Sequence, residues 1–386
     1  MDVAKINLRV VVILLIVMDV IGKIKAFVSQ HYRIFLYSRR LRWRRKWNLT
    51  DLEKKMPQAQ QVDQTIMNDC VSFWEDKLGI KKKHINYNWF KVYNAIENDK
   101  SKLKYYIPDE FWYVYVDPFY TDINKATVLD DKNFYDLYFH DVHQPKTIVR
   151  KIHDCYLDTN YNLVSEDSVY ELCKKETEVI IKPAVNSCGG AGIKFWKNIE
   201  TREDLFEALK EDNIIVQEVV KQHKTMAHLH EGSLNTIRIM VLIHNNEVVP
   251  LSTVVRMGVH NAKVDNASSG GIVCGVDCNG RLKNCAYNTK AIRFGKHPQG
   301  AIFEEHVIPN YSQCIALVKR LAPRFAYTSR LQSWDIAIDE HGEPTLIEAN
   351  LTFGQIDFQQ MCNGPIFGDR TEEMLSYIIK HHNFIR

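Results

Sequence analysis

The residues best suited to chemistry lie in SWDIAIDEHGEPTLIEANLTFGQ, residues 333–355. Two short apolar runs, 334–339 and 345–350, flank a turn holding His341-Gly342. Glycine accepts positive φ there at no steric cost, so the segment reads as a β-hairpin. Side chains alternate along a strand. Asp335 therefore shares a face with Asp339, and Glu348 shares one with Asn350. With His341-Gly342 as a two-residue loop, Glu340 pairs with Glu343 and Asp335 falls opposite Glu348. Opposed side chains have Cβ atoms about 5 Å apart, and like charges there destabilise a sheet. A hard divalent cation held by oxygen ligands would offset the repulsion. A solvated hairpin edge with scattered acids is the other reading of the same residues.

The chain that positions these residues is 386 residues long, enough for two or three domains and a substantial core. Apolar content of 45% and charged content of 25% are those of a folded protein, and 18 Tyr with 17 Phe exclude a disordered chain. Nine cysteines, an odd number in a long chain, argue against a disulfide framework and for a reducing compartment. Cys274, Cys278 and Cys285 lack a recognised zinc spacing and read as structural thiols. The net charge of +3 hides an asymmetry: residues 1–50 carry 11 Lys/Arg and 2 Asp/Glu, which leaves the remainder at −6.

That basic end opens with an apolar run, 10–18, too short to span a bilayer and without a small-residue cleavage site after it. SRRLRWRRKW follows at 38–47. An apolar helix followed by basic residues and Trp has the composition of an interfacial membrane anchor. A packed helix with a solvated charge run and a nucleic-acid arm are the alternatives. Residues 51–80 read as one helix ended by Gly79, and the aromatic density over 84–120 reads as packing rather than base stacking.

From Asp130 the texture changes. DDKNFYDLYFH reads as an amphipathic helix leading to a strand after Pro145, and 165–175 as a helix opened by SEDS. A strand at 179–181 ends in Lys182-Pro183, a loop follows with Gly189, Gly190 and Gly192, and a second strand covers 193–196. Strand, glycine loop, strand is a hairpin flap; GxxxxGK[ST] is absent. Bare N–H groups in such a loop can cradle phosphate oxygens, and a plain turn is the default reading. Helices are expected at 201–211, 308–322 and 370–382, and a buried strand at 214–220 carries Gln217 and Glu218. A further strand carries Asn235 and Arg238, and the next carries Arg256. A simple hairpin through Asn245-Asn246 puts the two arginines on opposite faces; a bulge near Pro250 would change that. His223, His228 and His230 read as solvated or substrate-edge histidines rather than a metal cluster.

The ordered set Lys132, Lys182-Pro183, the loop at 187–192, Gln217-Glu218, Asn235/Arg238, Asp335 and Glu348-x-Asn350 resembles the ATP-grasp superfamily over roughly residues 125–370. SLNTIR at 233–238, RMG at 256–258 and VDNASSGGI at 264–272 are most similar to the sugar-transfer-associated ATP-grasp proteins of polysaccharide clusters.

The resemblance implies an α+β fold in which two subdomains grip a nucleotide, here behind a helical, aromatic-rich N-terminal region. The expected divisions are 1–50, 51–125 and 126–386, the last with a lid subdomain at about 130–220 and a metal-binding subdomain at about 221–386. It also implies that Lys132 and Lys182 contact ATP, and that Ser187, Gly189, Gly190 and Gly192 cover its phosphates. Gln217, Glu218, Val219, Val220 and Asn235 would complete the nucleotide site. Asp335, Glu348 and Asn350 would bind Mg²⁺, in one or two ions, and Arg238 or Arg256 would neutralise the transferred phosphoryl group. Cys188 in the loop has no evident base partner for nucleophilic work. The implied activity is ATP-dependent ligation of a carboxylate to an amine or thiol, on a small-molecule or glycan-precursor substrate, on the cytoplasmic side of the cell membrane and without nucleic acid. A phosphotransferase or a non-catalytic component of a glycan synthesis complex are the alternatives.

Overall fold

The computed structural model describes residues 43–185 and 190–381. The apolar run at 10–18, the first half of the basic run, and Ser187, Cys188 and Gly189 lie outside the described residues. By contacts the chain divides into residues 1–51 and 52–386. In the first unit residues 43–50 are helical.

The second unit opens with the aromatic-rich region. The single helix expected over 51–80 is interrupted. Pro57 lies in a 3₁₀ turn, Met56–Gln58, since proline lacks the N–H a continuing helix needs. The chain then runs extended until Asp63 accepts from Thr65 N at 2.8 Å and starts the helix Gln64–Val71. Trp74, Trp89, Phe90, Tyr93, Phe111 and Trp112 are buried here. Tyr93 stacks on Tyr106 with centroids 4.4 Å apart, so the aromatic density is packing.

A five-stranded antiparallel sheet follows. Its strands are β1 (Thr147–Ile152), β2 (Cys155–Leu157), β3 (Glu178–Pro183), β4 (Lys194–Lys197) and β5 (Ile214–Glu218), in the order β2-β1-β5-β3-β4. Val179, Ile181, Trp196, Ile214 and Val216 face a core closed by the helices Glu166–Cys173 and Arg202–Ala208. Ser165 caps the first helix, and a Thr201–Asp204 capping box opens the second. Alternation turns Ile180, Lys182 and Phe195 to the opposite face.

The second sheet has seven antiparallel strands in the order β10-β9-β8-β7-β6-β11-β12. They are β6 (Thr236–His244), β7 (Glu247–Met257), β8 (Ile272–Val276), β9 (Leu282–Tyr287), β10 (Arg293–Phe294), β11 (Leu331–Ile338) and β12 (Pro344–Asn350). Ile237, Ile239, Val255, Met257, Trp334, Ile336, Leu346 and Ala349 share a core with the helix Tyr311–Leu321. The other face carries Thr236, Arg238, Arg256 and Asp335 beside buried apolar residues such as Met240 and Val254.

The amphipathic helix expected after Asp130 is a 3₁₀ turn, Lys132–Phe134, and one helical turn, Tyr135–Tyr138. Tertiary contacts override its periodicity. The buried Tyr135 hydroxyl accepts from Ala349 N at 3.0 Å and donates to Ala349 O at 3.3 Å, pinning the segment to β12.

Candidate active site

Two bulges decide which side chains meet. The β11–β12 turn has three loop residues rather than two, since Asp339 N donates to Glu343 O. Ile336 then pairs with Leu346, one position away from the two-residue-loop register. The register shifts between Asp335 and Ile336, leaving Ile347 as the extra residue, and Asp335 falls opposite Glu348 after all. Regular alternation from the core residue Leu346 would have buried Glu348; the bulge re-aims it. The β6–β7 hairpin does turn through Asn245 and Asn246, both at positive φ. A second bulge, at Leu251, moves Arg256 onto the face of Thr236 and Arg238. The chain thus takes the bulged alternative near Pro250 rather than the simple hairpin, and the two arginines share a face.

Asp335 lies between the two arginines. Arg238 donates Nε and Nη2 to its two oxygens, each at 2.7 Å, and Arg256 Nη1 adds a bond of 3.0 Å. Asn350 Nδ2 lies 3.4 Å from the same carboxylate. Burial opposes the Asp335 charge, but the guanidinium groups outweigh it and hold the carboxyl below its ordinary range. Glu348 Oε1 pairs with Lys132 Nζ at 2.7 Å. Lys182 donates to Gln217 Oε1 at 3.1 Å. Burial, then Lys132, pull its ammonium down to about 8, against the pull of Glu348.

Lys132, Lys182, Asp335 and Glu348 line a cavity of about 550 Å³ walled by both sheets, with Arg238, Arg256, Asn350 and Gln217 behind them. Ile180, Ile193, Phe195, Val219, Leu234 and Ile347 line its apolar part. Such a volume is that of a small-molecule site, and charged side chains from both sheets line much of it. Lys132, Lys182, Gly190, Glu218, Val219, Val220, Asp335 and Glu348 line it. Glu218 turns its carboxylate back to Lys146 N at 3.0 Å. Gln217 acts from behind as the partner of Lys182 and donates to Pro145 O at 3.3 Å. Gly190 has φ +71, and a Cβ there would strike Asn266 Oδ1 at 2.3 Å; at Gly192, φ +78, it would strike Pro183.

Asn235 does not line the cavity. Its Nδ2 donates to Gln222 Oε1 and to the carbonyls of Met226 and His230, at 2.9, 2.9 and 2.7 Å, so it fastens the 222–234 loop. The solvated reading of the histidines fails at His230, which is buried. Its Nε2 donates to His260 O at 3.0 Å, and its Nδ1 is hydrogen-bonded to Ser233 Oγ at 2.8 Å. His223 caps the short helix Lys224–Ala227. Cys274 is buried and packs in the sheet core.

Asp265, Thr236 and Gln355 emerge only from the structure. Asp265 lines the cavity, accepts from Thr236 N at 3.1 Å and from its hydroxyl, and lies 3.6 Å from Arg256 Nη2. Gln355, at φ 58, accepts from Arg238 Nη1 at 2.6 Å. Asp265 and Thr236 stand inside VDNASSGGI and SLNTIR, but a turn-rich segment has no periodicity from which to place them.

Two antiparallel sheets walling a cleft with paired lysines and a facing acid–acid–amide set define an ATP-grasp fold. The chain matches the family model described as sugar-transfer associated ATP-grasp over residues 115–375, and it belongs to that family. No curated protein matches it. Among solved structures it is similar to D-alanyl-alanine synthetase A from Vibrio cholerae, at 12% identity and TM-score 0.38 over 71% of this chain and 66% of that one. It is also similar to the ATP-grasp ligase PsnB complexed with minimal precursor, Mg and ADP, at 14% identity and TM-score 0.39 over 67% and 62%. A third is the biotin carboxylase domain of the Hydrogenobacter thermophilus 2-oxoglutarate carboxylase, at 15% identity and TM-score 0.41 over 68% and 48%. The chain thus spans less than two thirds of each of these solved chains.

Proposed function

We propose that the protein is an ATP- and Mg²⁺-dependent ligase that activates a carboxylate as an acylphosphate for attack by an amine or thiol, in cell-surface polysaccharide synthesis. The supporting observation is the cleft itself: Lys132 and Lys182 stand beside Glu348, Asp335 and Asn350 at one end, with an apolar slot at the other.

The donor set suits magnesium, being all-oxygen with two carboxylates on facing strands. Asp335, Glu348 and Asn350 would hold it, and it would draw charge from phosphate oxygens. Lys132 and Lys182 would hold the phosphates. Ile180, Phe195 and Val219 would sandwich the base, with backbone groups of 218–220 at its edge. Arg256, which gives Asp335 one bond where Arg238 gives two, would meet charge developing on the transferred group, while Arg238 is held by Asp335 and Gln355. In the reaction a substrate carboxylate oxygen attacks the γ-phosphorus and ADP leaves. The nucleophile then attacks the carbonyl carbon, its proton departs, and the C–O bond to phosphate breaks. The chain supplies position and charge rather than a covalent nucleophile.

The test is turnover with ATP, Mg²⁺ and pools of sugar acids and amino acids, with ADP, free phosphate and condensed product measured separately. Ligation requires all three in equal amounts and their loss in Glu348→Gln. ADP with a phosphorylated hydroxyl and no free phosphate would make the protein a phosphotransferase.

A further inference from the structure

The basic, tryptophan-bearing end of the chain has no part in the cleft chemistry. Within the helical residues 43–50, Trp43 and Trp47 are one turn apart and are 60% and 61% exposed. Their rings meet edge to face with centroids 5.3 Å apart, so both project on one side of the helix. Exposed tryptophans are rare because the ring is large and apolar, and a pair on one face is a local apolar patch. Lys46 beside them is exposed, and Arg44 and Arg45 on the same helix are half-buried.

We infer that Trp43 and Trp47 dock the protein on an anionic lipid surface, with the indoles at headgroup depth and the basic side chains on lipid phosphates. Indole suits that depth because one edge is apolar and its N–H seeks a polar partner. The charge distribution sets the orientation. Residues 1–50 are net +9 and the rest of the chain is net −6, so an anionic surface attracts this end and repels the remainder. The uninterrupted apolar run at 10–18 in the same segment favours lipid over nucleic acid, whose basic arms bind phosphate without an apolar companion.

The test is sedimentation of the full chain with phosphatidylcholine vesicles, with and without phosphatidylglycerol, at low and high salt. The expected result is binding to the anionic vesicles only, weakened by salt. Trp43→Ala/Trp47→Ala should lower that binding on the order of tenfold. Its ADP affinity should match that of the wild-type chain, which also reports an intact fold. Equal binding by the double variant, equal binding to both vesicle types, or no vesicle binding would each overturn the inference. So would capture of an oligonucleotide duplex by a chain that leaves the vesicles in solution.

Discussion

Lys182 is the group whose environment most directly anticipates a ligand. Its ammonium is pulled down to about 8, first by burial and then by Lys132. A triphosphate or diphosphate at that end of the cleft would reverse both effects and return it toward the ordinary 10.5. Binding ADP should therefore take up a proton. The uptake follows the fraction of Lys182 deprotonated beforehand, about 0.1 at pH 7, about 0.5 at pH 8 and about 0.9 at pH 9. Affinity should fall as pH rises, by roughly tenfold between pH 7 and pH 9, because neutral lysine offers no charge to phosphate. ADP is the better probe, since its terminal phosphate titrates at about 6, below that window. Without ligand the sign for folding is the opposite. The unfolded chain holds the proton more tightly, so this group makes stability rise with pH from about 8 to the ordinary 10.5. Calorimetric titration in buffers of different ionisation enthalpy reads the uptake directly. Uptake that stays flat from pH 7 to pH 9, or that persists unchanged in Lys182→Met, would refute the reasoning.

Three further outcomes follow from particular contacts. Lys132→Met removes the cation on Glu348 and should raise nucleotide-free Mn²⁺ binding about fivefold, read by electron paramagnetic resonance; unchanged binding would mean that Glu348 is not a metal ligand. Asn235→Ala removes the side-chain donor that Gln222 Oε1, Met226 O and His230 O share, but each acceptor keeps a second donor, from Asn235 N, Leu229 N and Gln222 Nε2, so it should cost about 1–1.5 kcal/mol in chemical denaturation, with ADP affinity retained. Deleting Leu251 removes the β7 bulge, turns Arg256 to the core face and takes Val255 and Met257 out of the core. A buried unpaired charge and two lost apolar side chains together cost roughly 7–12 kcal/mol, so this variant should not fold, whereas Leu251→Ala should.

The fold was legible because it rests on local signals: strand alternation around 335–350, the turn at Asn245-Asn246, the hairpin of β3 and β4, and the cap at Ser165. What failed rests on register and on long-range polar contacts. The pairing of Asp335 with Glu348 was reached from a two-residue loop, whereas the chain uses a three-residue loop and a bulge whose displacements cancel. No local feature of LIEAN announces that bulge. At β6–β7 the turn holds, and the bulge that brings Arg256 beside Arg238 has a local signal, since Leu251 follows Pro250, which cannot donate to the ladder. Asn235 carries the residue type of a ligand contact, and only tertiary structure shows that it faces inward to Gln222.

The facing acids that first suggested a cation site are neutralised in this structure by the chain's own cations. Arg238 and Arg256 flank Asp335, and Lys132 pairs with Glu348. The sheet therefore tolerates the opposed carboxylates without metal, and repulsion alone does not require one. The two pairs differ in how firmly they are held. The Asp335 side chain is 2% exposed and receives a bidentate guanidinium, a geometry costly to break. The Glu348 side chain is 28% exposed and has a single lysine on a flexible stem. If phosphates enter at the lysine end, Lys132 is the cation they can draw away, and Glu348 is the acid released. In that order nucleotide would prepare the proposed metal site at Glu348, and Asp335 would serve first as the fixed counter-charge of the two buried arginines.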